Sequence, residues 1–566
     1  MIAKNFKIIL IIFFIFFTFE VKSKNIYYKD FNSKDLSNYF SGVISHNNQK
    51  NEQALKYFKS SRQLLNKHEE YFKRLIFSLV LNQNVDRAIQ EIKFLRNKNQ
   101  SKFFEAQLLL LIDSINKKKF DETKIYLNNI AKYTEEGTFE KIIYETIRDY
   151  SFTFEEKKMS NFKSNFGNLT AINNTFLSCY LNNPNTLEYF DRLKNSEAAD
   201  YSRYLFFYTN YLAHKKRFDL VKEISLEIDE LSSNLIILQT KSWIDKSRFN
   251  EIKEIFSCKY ENDLLAEFFY LVANLYSSQD EYEQSNFYLN ISYFLNKKFK
   301  INLSLMVDNY YLNENYDQSL KVLELFNSKD DLYYWFRIKQ EAKIITEKKN
   351  KEEALKYVEK NFKNMKNPST KVLFDLATIY KNSKKYEKAI ELYSSVITNV
   401  EKDSLNYADL LYRRGGSFER IGKYEKSDKD LLEALKIIPN NSYILNYLAY
   451  SWLERDQNIN KAVLMLEKAY KENENDPYII DSVGWGYFLV GRYSDAEKFM
   501  RRALELMPND PIVNDHYGDI LWKLNRKIQA QYFWNSVLKM EDADKEIIEK
   551  IKVKLINGLS KNNESS

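Results

Sequence analysis

A small residue recurs about every 34 positions along most of this 566-residue chain, and that period constrains the fold more than any other feature. From Ser285 the series runs Ser319, Ala354, Ala389, Ser427, Ala462, Ala496 and Ala530, in steps of 34, 35, 35, 38, 35, 34 and 34 residues. Near the N-terminus Ala54, Ala88 and Thr123 keep the same stride. A second small residue often stands twelve positions earlier, as in Gly42/Ala54, Ala273/Ser285, Ala342/Ala354, Ala377/Ala389, Gly415/Ser427, Gly484/Ala496 and Gly518/Ala530. Two helices of about 14 residues with short turns fill one period, and a small residue on each lets their axes approach to roughly 8–10 Å. With only 11 Gly and 6 Pro, the chain lacks the frequent turns that sandwiches and barrels require. An all-α chain of paired helices is the expectation.

Three units carry the pattern most clearly. Ile480, Val483, Gly484 and Tyr487 mark a first helix, Ala496 and Met500 a second, and Pro508 the closing turn. Asn514, Tyr517, Gly518, Leu521, Ala530 and Trp534 repeat the series, and Leu411, Gly415, Phe418, Ser427, Leu431 and Ala434 precede Pro439. These residues resemble the tetratricopeptide repeat family, whose pattern is W-x2-L-G-x2-Y, then A-x3-F, then P. Five units keep register over residues 370–540. The resemblance implies a right-handed superhelical solenoid of antiparallel helix hairpins, about 11 to 14 of them.

Helix ends agree with this register. Asp476-Pro477 and Asp510-Pro511 stand 34 residues apart, each an acidic N-cap before Pro at the first helical position, where a missing N–H costs nothing. Seven of the eleven Gly lie within residues 415–518, which sets a regular array at 370–540 apart from diverged repeats at 24–369. The Asn-rich stretch at residues 165–185 reads as either a long loop or an eroded unit. One extra residue between Ala449 and Ala462 predicts a bulged turn at residues 456–460. Residues 541–566 read as a capping helix, with Ile547, Ile548, Ile551 and Leu555 inward, followed by a polar tail.

Residues 1–23 form a separate signal: Lys4 and Lys7, an apolar run at 8–19, then Val21-Lys22-Ser23 before a cut. Export to the periplasm is expected, with cleavage near Lys24, whereas an uncleaved signal would leave an inner-membrane anchor. Two cysteines, Cys179 and Cys258, are 79 residues apart. In a stack where each unit touches its neighbours, that separation predicts two buried thiols rather than a disulfide.

Charge excludes little but nucleic acid. Lys plus Arg number 85 against 78 Asp plus Glu, and the signs alternate along the chain instead of gathering on one face. The four His are scattered and no phosphate-binding glycine loop is present, so no metal or cofactor is expected. Ser482, His516 and Asp519 sketch a nucleophilic triad, but mid-helix N–H groups are already used and supply no oxyanion donor. The chain is therefore read as a non-enzyme.

In the family the first helices line a concave groove. Carried onto this chain, that face holds Tyr443, Asn446, Tyr450 and Leu453, then Tyr478, Asp481, Trp485 and Phe488, then Ile512, Asp515, Asp519 and Trp522. The aromatic and acidic character suits a partner segment with apolar and basic side chains, and the face lacks the Lys and Arg of the family's carboxylate clamp. The residues near the C-terminus also resemble exported tetratricopeptide proteins of Gram-negative bacteria. That resemblance implies a scaffold for protein partners, such as an envelope protease or assembly factor, that contacts a membrane only through an uncleaved signal or a partner. An envelope enzyme with its site in residues 135–260, and a glycan- or lipid-binding module, are the competing readings.

Overall fold

A computed structural model describes residues 32–66, 69–95, 102–161, 165–195, 203–326 and 330–559. The expected signal at 1–23 lies outside these residues. Helices account for all the regular structure among the described residues, and none of them is long and apolar enough to cross a membrane. The chain forms two compact units, one of residues up to 344 and one from 345 onward, the latter taking in residues 229–233.

In the C-terminal unit five antiparallel hairpins follow one another: Thr370–Asn382 with Tyr386–Ile397, Leu405–Glu419 with Tyr424–Ile437, Ser442–Leu453 with Ile459–Glu472, Pro477–Leu489 with Tyr493–Leu506, and Pro511–Lys523 with Lys527–Val537. Each packs on the next, and helix Lys545–Asn557 closes the series. The small residues that set the period are buried throughout both units, none more than 6% exposed. The expected close approach is present at Gly484, whose added Cβ would come 3.4 Å from the Ala496 carbonyl oxygen, but the nearest atoms belong to a bulkier residue. A Cβ added at Gly484 would meet Met500 Cε at 3.1 Å, and one at Gly415 would meet Leu431 Cγ at 3.1 Å. At Gly518 the clash is with Trp534 Nε1, at 2.3 Å. Each glycine makes room for the bulky residue one helical turn beyond the small one, which is the second member of the A-x3-F pattern.

Capping explains where these helices begin. Every first helix starts behind a side-chain cap, from Ser369, Ser404, Asn441, Asp476 and Asp510, and Asp544 caps the closing helix. Second helices carry none. They follow a left-handed residue in the hairpin turn: Lys384, Gly422, Asp456, Gly491 and Asn525 all have positive φ. The next N–H then reaches back across the first helix's end, as from Arg492 to the Tyr487 carbonyl at 2.8 Å and from Arg526 to the Leu521 carbonyl at 2.9 Å. The bulge at 456–460 is present as a second left-handed residue, Asn458.

Among the described residues the N-terminal unit contains eight hairpins, from Ser33–Asn47 with Asn51–Ser60 to Leu303–Leu312 with Tyr316–Leu323. The Asn-rich stretch is an eroded unit, since Asn168–Tyr180 pairs with Thr186–Lys194. Neighbour-only packing fails here. The hairpin Glu261–Ser277 with Tyr282–Leu295 lies against helices much earlier in the chain: Phe287 stacks on Phe77 with centroids 4.6 Å apart, and Glu283 pairs with His46 at 3.0 Å. Tyr180 donates to Glu261 at 2.8 Å. The same return corrects the reading of the cysteines. Phe256 is drawn onto Phe176 and Phe207, which carries Cys258 beside Cys179, and the two form a disulfide with their Cα atoms 5.9 Å apart.

Candidate functional site

The first helices of the C-terminal unit do share one face, but only its rim is open. Tyr443, Tyr478 and Ile512 occupy equivalent positions on three successive first helices and are 54%, 63% and 49% exposed. Each is the second residue of its helix, within the turn that the N-cap side chain closes. Asn446 and Tyr450 lie half-buried below Tyr443, and burial together with Glu454 raises the Tyr450 phenol.

Deeper residues of the expected groove are core. Asp481, Trp485, Phe488, Asp515 and Asp519 are all buried, which corrects their reading as an open contact surface. Trp485 donates from Nε1 to Glu454 at 3.2 Å and stacks on His516 with centroids 4.1 Å apart and on Phe488 at 4.8 Å. Asp481 sits 3.0 Å from His516 Nδ1. Burial disfavours the imidazolium, but Asp481, with Asp515 and Glu454 behind it, outweighs this and holds the His516 pKa above its ordinary value. Trp522 is half-buried against Trp534, and Gly558 passes so close to its ring that a Cβ there would overlap it. The positive φ of Gly558 adds a second reason for glycine at that place.

The acids of this face already have a cation. Lys554, from the closing helix, donates to Asp515 at 2.6 Å and to both carboxylate oxygens of Asp519 at 2.9 and 2.7 Å. Trp534 Nε1 donates to Asp519 at 3.0 Å. Burial and the nearby Asp515 push the Asp519 carboxyl upward, while Lys554 pulls it back. The expected partner chemistry, apolar plus basic, is thus supplied within the chain by Ile551 and Lys554. The sequence pattern showed Ile551 facing inward; Lys554, three residues on, shares that face.

The sketched triad is not assembled. Ser482 Oγ donates to the Tyr478 carbonyl at 2.9 Å, His516 turns to Asp481, and Asp519 is held by Lys554 and Trp534. A serine already bonded within its helix, with no base beside it, is no nucleophile. Among the described residues no group of three His, Cys, Asp or Glu could hold a metal ion.

Earlier hairpins of the unit bear a basic cluster that the residues 443–522 did not suggest. Lys381 is half-buried, and burial with the repulsion of Arg413 and Arg420 lowers its pKa. Arg413 donates to Asp409 at 2.7 Å, and its guanidinium lies over the Phe374 ring at 5.2 Å from the centroid. The legible signal was Lys381 and Arg413 on adjacent first helices, with Arg420 at the C-cap of the helix that carries Arg413.

Comparison with known proteins finds similarity over part of the chain. A family model described as tetratricopeptide repeat matches residues 336–542. A tetratricopeptide repeat-containing protein of Pseudomonas aeruginosa is 32% identical over 138 residues, which cover 24% of this chain and 22% of that relative. Among solved structures, a tetratricopeptide protein of Thermus thermophilus aligns at 16% identity and a TM-score of 0.29, covering 33% of this chain and all of its own. MamA of Desulfovibrio magneticus aligns at 17% and 0.27, covering 31% of this chain and 97% of its own. The pilus biogenesis factor PilW aligns at 15% and 0.30, covering 34% and 88%. The matched residues 336–542 span all five hairpins of the C-terminal unit, so the tetratricopeptide similarity and the hairpin register fall on the same residues.

Proposed function

We propose that the chain is a non-catalytic scaffold of the bacterial cell envelope that binds protein partners along the open rim of its C-terminal first helices. One observation carries this reading: Tyr443, Tyr478 and Ile512 repeat an exposed large apolar side chain at one position in three successive hairpins. Single exposed apolar residues need no explanation, but a repeat-equivalent row on adjacent helices is the surface that an extended apolar segment would cover. Export is supported by the Lys4/Lys7 signal pattern and by the Cys179–Cys258 disulfide, which an oxidising compartment would maintain. An envelope protease or assembly factor is the kind of partner proposed.

The test is affinity capture from the envelope fraction with the full chain and with a Tyr443→Ser/Tyr478→Ser/Ile512→Ser variant. Exposed side chains are the ones removed, so melting should stay unchanged while a specific co-purifying protein is lost. Equal recovery with both forms would overturn the assignment of the rim.

A further inference from the structure

Where the returning hairpin of the N-terminal unit meets the early helices, it leaves a cavity of about 390 Å³. Its walls are aromatic. Phe77 stacks on Phe287, Tyr276 stacks on Tyr288 with centroids 5.3 Å apart at 15°, and Phe139 meets Tyr276 edge-on at 4.8 Å. Phe77, Tyr276, Phe287 and Tyr288 are all buried, at most 8% exposed, so packing fixes their rings and only a small part of each borders the cavity.

The charges lining the cavity are of one sign. Glu105, Glu140 and Glu281 belong to its lining, and no Lys, Arg or His does. Glu140 accepts the Tyr276 hydroxyl at 3.3 Å, and Glu281 stands exposed at the edge. Glu105 is the unusual member: its Oε2 is buried and has no hydrogen-bond partner. An orphaned buried carboxylate oxygen destabilises a fold unless a donor reaches it. Lys73, whose Nζ lies 6.0 Å from the Phe77 centroid, partly offsets the effect of burial on Glu105 by its charge. The three carboxylates come from different elements and form no metal-holding group. Ring faces combined with spread carboxylates favour a weakly hydrated organic cation over a hard metal ion.

We propose that this cavity binds an organic cation, an alkylammonium or guanidinium group, whose N–H donors satisfy Glu105 while the aromatic rings contact its apolar and cationic faces. Glu281 at the edge draws the cation in. The site exists because residues 261–295 return onto helices Glu69–Leu81, Phe104–Asn116 and Phe139–Glu156, so it is independent of the rim in the C-terminal unit.

Calorimetric titration of the full chain with butylguanidinium, against its neutral isostere butylurea, tests the proposal. Saturable binding of the cation, at least about tenfold tighter than butylurea, is expected. Glu105→Gln keeps the shape and should weaken the cation by about tenfold with melting of the unliganded chain held or raised; Glu281→Gln, at an exposed place, should weaken it less and reduce its salt dependence. An acetylated Gly-Arg-Gly amide that binds more tightly than butylguanidinium assigns the cation to an arginine of a protein partner, and equal affinity assigns it to a small molecule. Equal affinity for butylguanidinium and butylurea, or unaltered binding by both variants, would overturn the proposal.

Discussion

Replacing Gly518 by alanine adds one methyl group to the tightest contact made by a glycine within a helix of the C-terminal unit. The new Cβ would lie 2.3 Å from Trp534 Nε1 and 2.5 Å from its Cδ1, so the indole or the helix must retreat by about 1 Å to restore ordinary contact. Trp534 is fully buried and has no open side to move into. Its N–H is also held by Asp519 at 3.0 Å, a bond to a charged acceptor that the retreat would break. Overpacking of this kind costs about 1–3 kcal/mol and such a bond about 1.5–3, so a loss of about 3–5 kcal/mol is expected. Gly484→Ala is the internal comparison. There the new methyl meets the flexible end of Met500 at 3.1 Å and backbone atoms of Met500 and Ala496 only at 3.3 and 3.4 Å, and alanine's better helix propensity returns roughly 1 kcal/mol, leaving a loss of about 1 kcal/mol. Chemical denaturation followed by tryptophan fluorescence reports on this unit, because four of the six tryptophans, 452, 485, 522 and 534, belong to it. The two units need not unfold together, so the quantity read is the midpoint of that transition. If Gly518→Ala and Gly484→Ala shift the midpoint equally, the packing argument for the repeat register is wrong.

Lys554→Met leaves Asp515 and Asp519 without their shared ammonium and should cost about 3–5 kcal/mol in the same assay, with Asp519→Asn added to it recovering a large part; an unchanged midpoint would mean that the closing helix is not seated as described. Because the folded-state pKa of His516 is raised, its contribution to stability is complete below the unfolded value of about 6.5 and is lost as pH rises through the folded pKa. The difference in midpoint between the wild type and His516→Gln should therefore shrink from acid toward alkaline pH, and growth of that difference would contradict the pairing with Asp481. Trp485→Ala should lower stability by about 3–5 kcal/mol, so any loss of partner capture should accompany a lower midpoint; lost capture at full stability would return Trp485 to the open groove.

The hairpin array was legible because its rule is local: a small residue wherever two helices close, and a cap wherever a first helix starts. Ala496, Ser427 and Asp510 each state that rule in a single side chain. The turns were less legible, since the left-handed position is glycine only at 422 and 491 and elsewhere is filled by Lys384, Asp456 or Asn525. The groove was legible as a stripe but not as a depth. Residues spaced as Tyr478, Asp481, Trp485 and Phe488 share one side of a helix, yet only Tyr478 stays exposed, while Trp485 is covered by His516 of the next first helix. Long-range pairings carried no local mark. Lys554 reads as a surface lysine until Asp515 and Asp519 are seen facing it, and the Cys179–Cys258 bridge depends on a return of the chain that a nearest-neighbour stack does not anticipate.

The central claim is that partners meet the open rim of the first helices and not the outer faces of the second. Site-specific photocrosslinking tests it most directly, with a photoreactive residue placed at Tyr478 on the rim or at the exposed Lys498 on a second helix, in cells carrying the full chain. The rim position should capture a discrete protein adduct and the second-helix position none. Adducts of equal yield from both positions, or from Lys498 alone, would contradict the assignment.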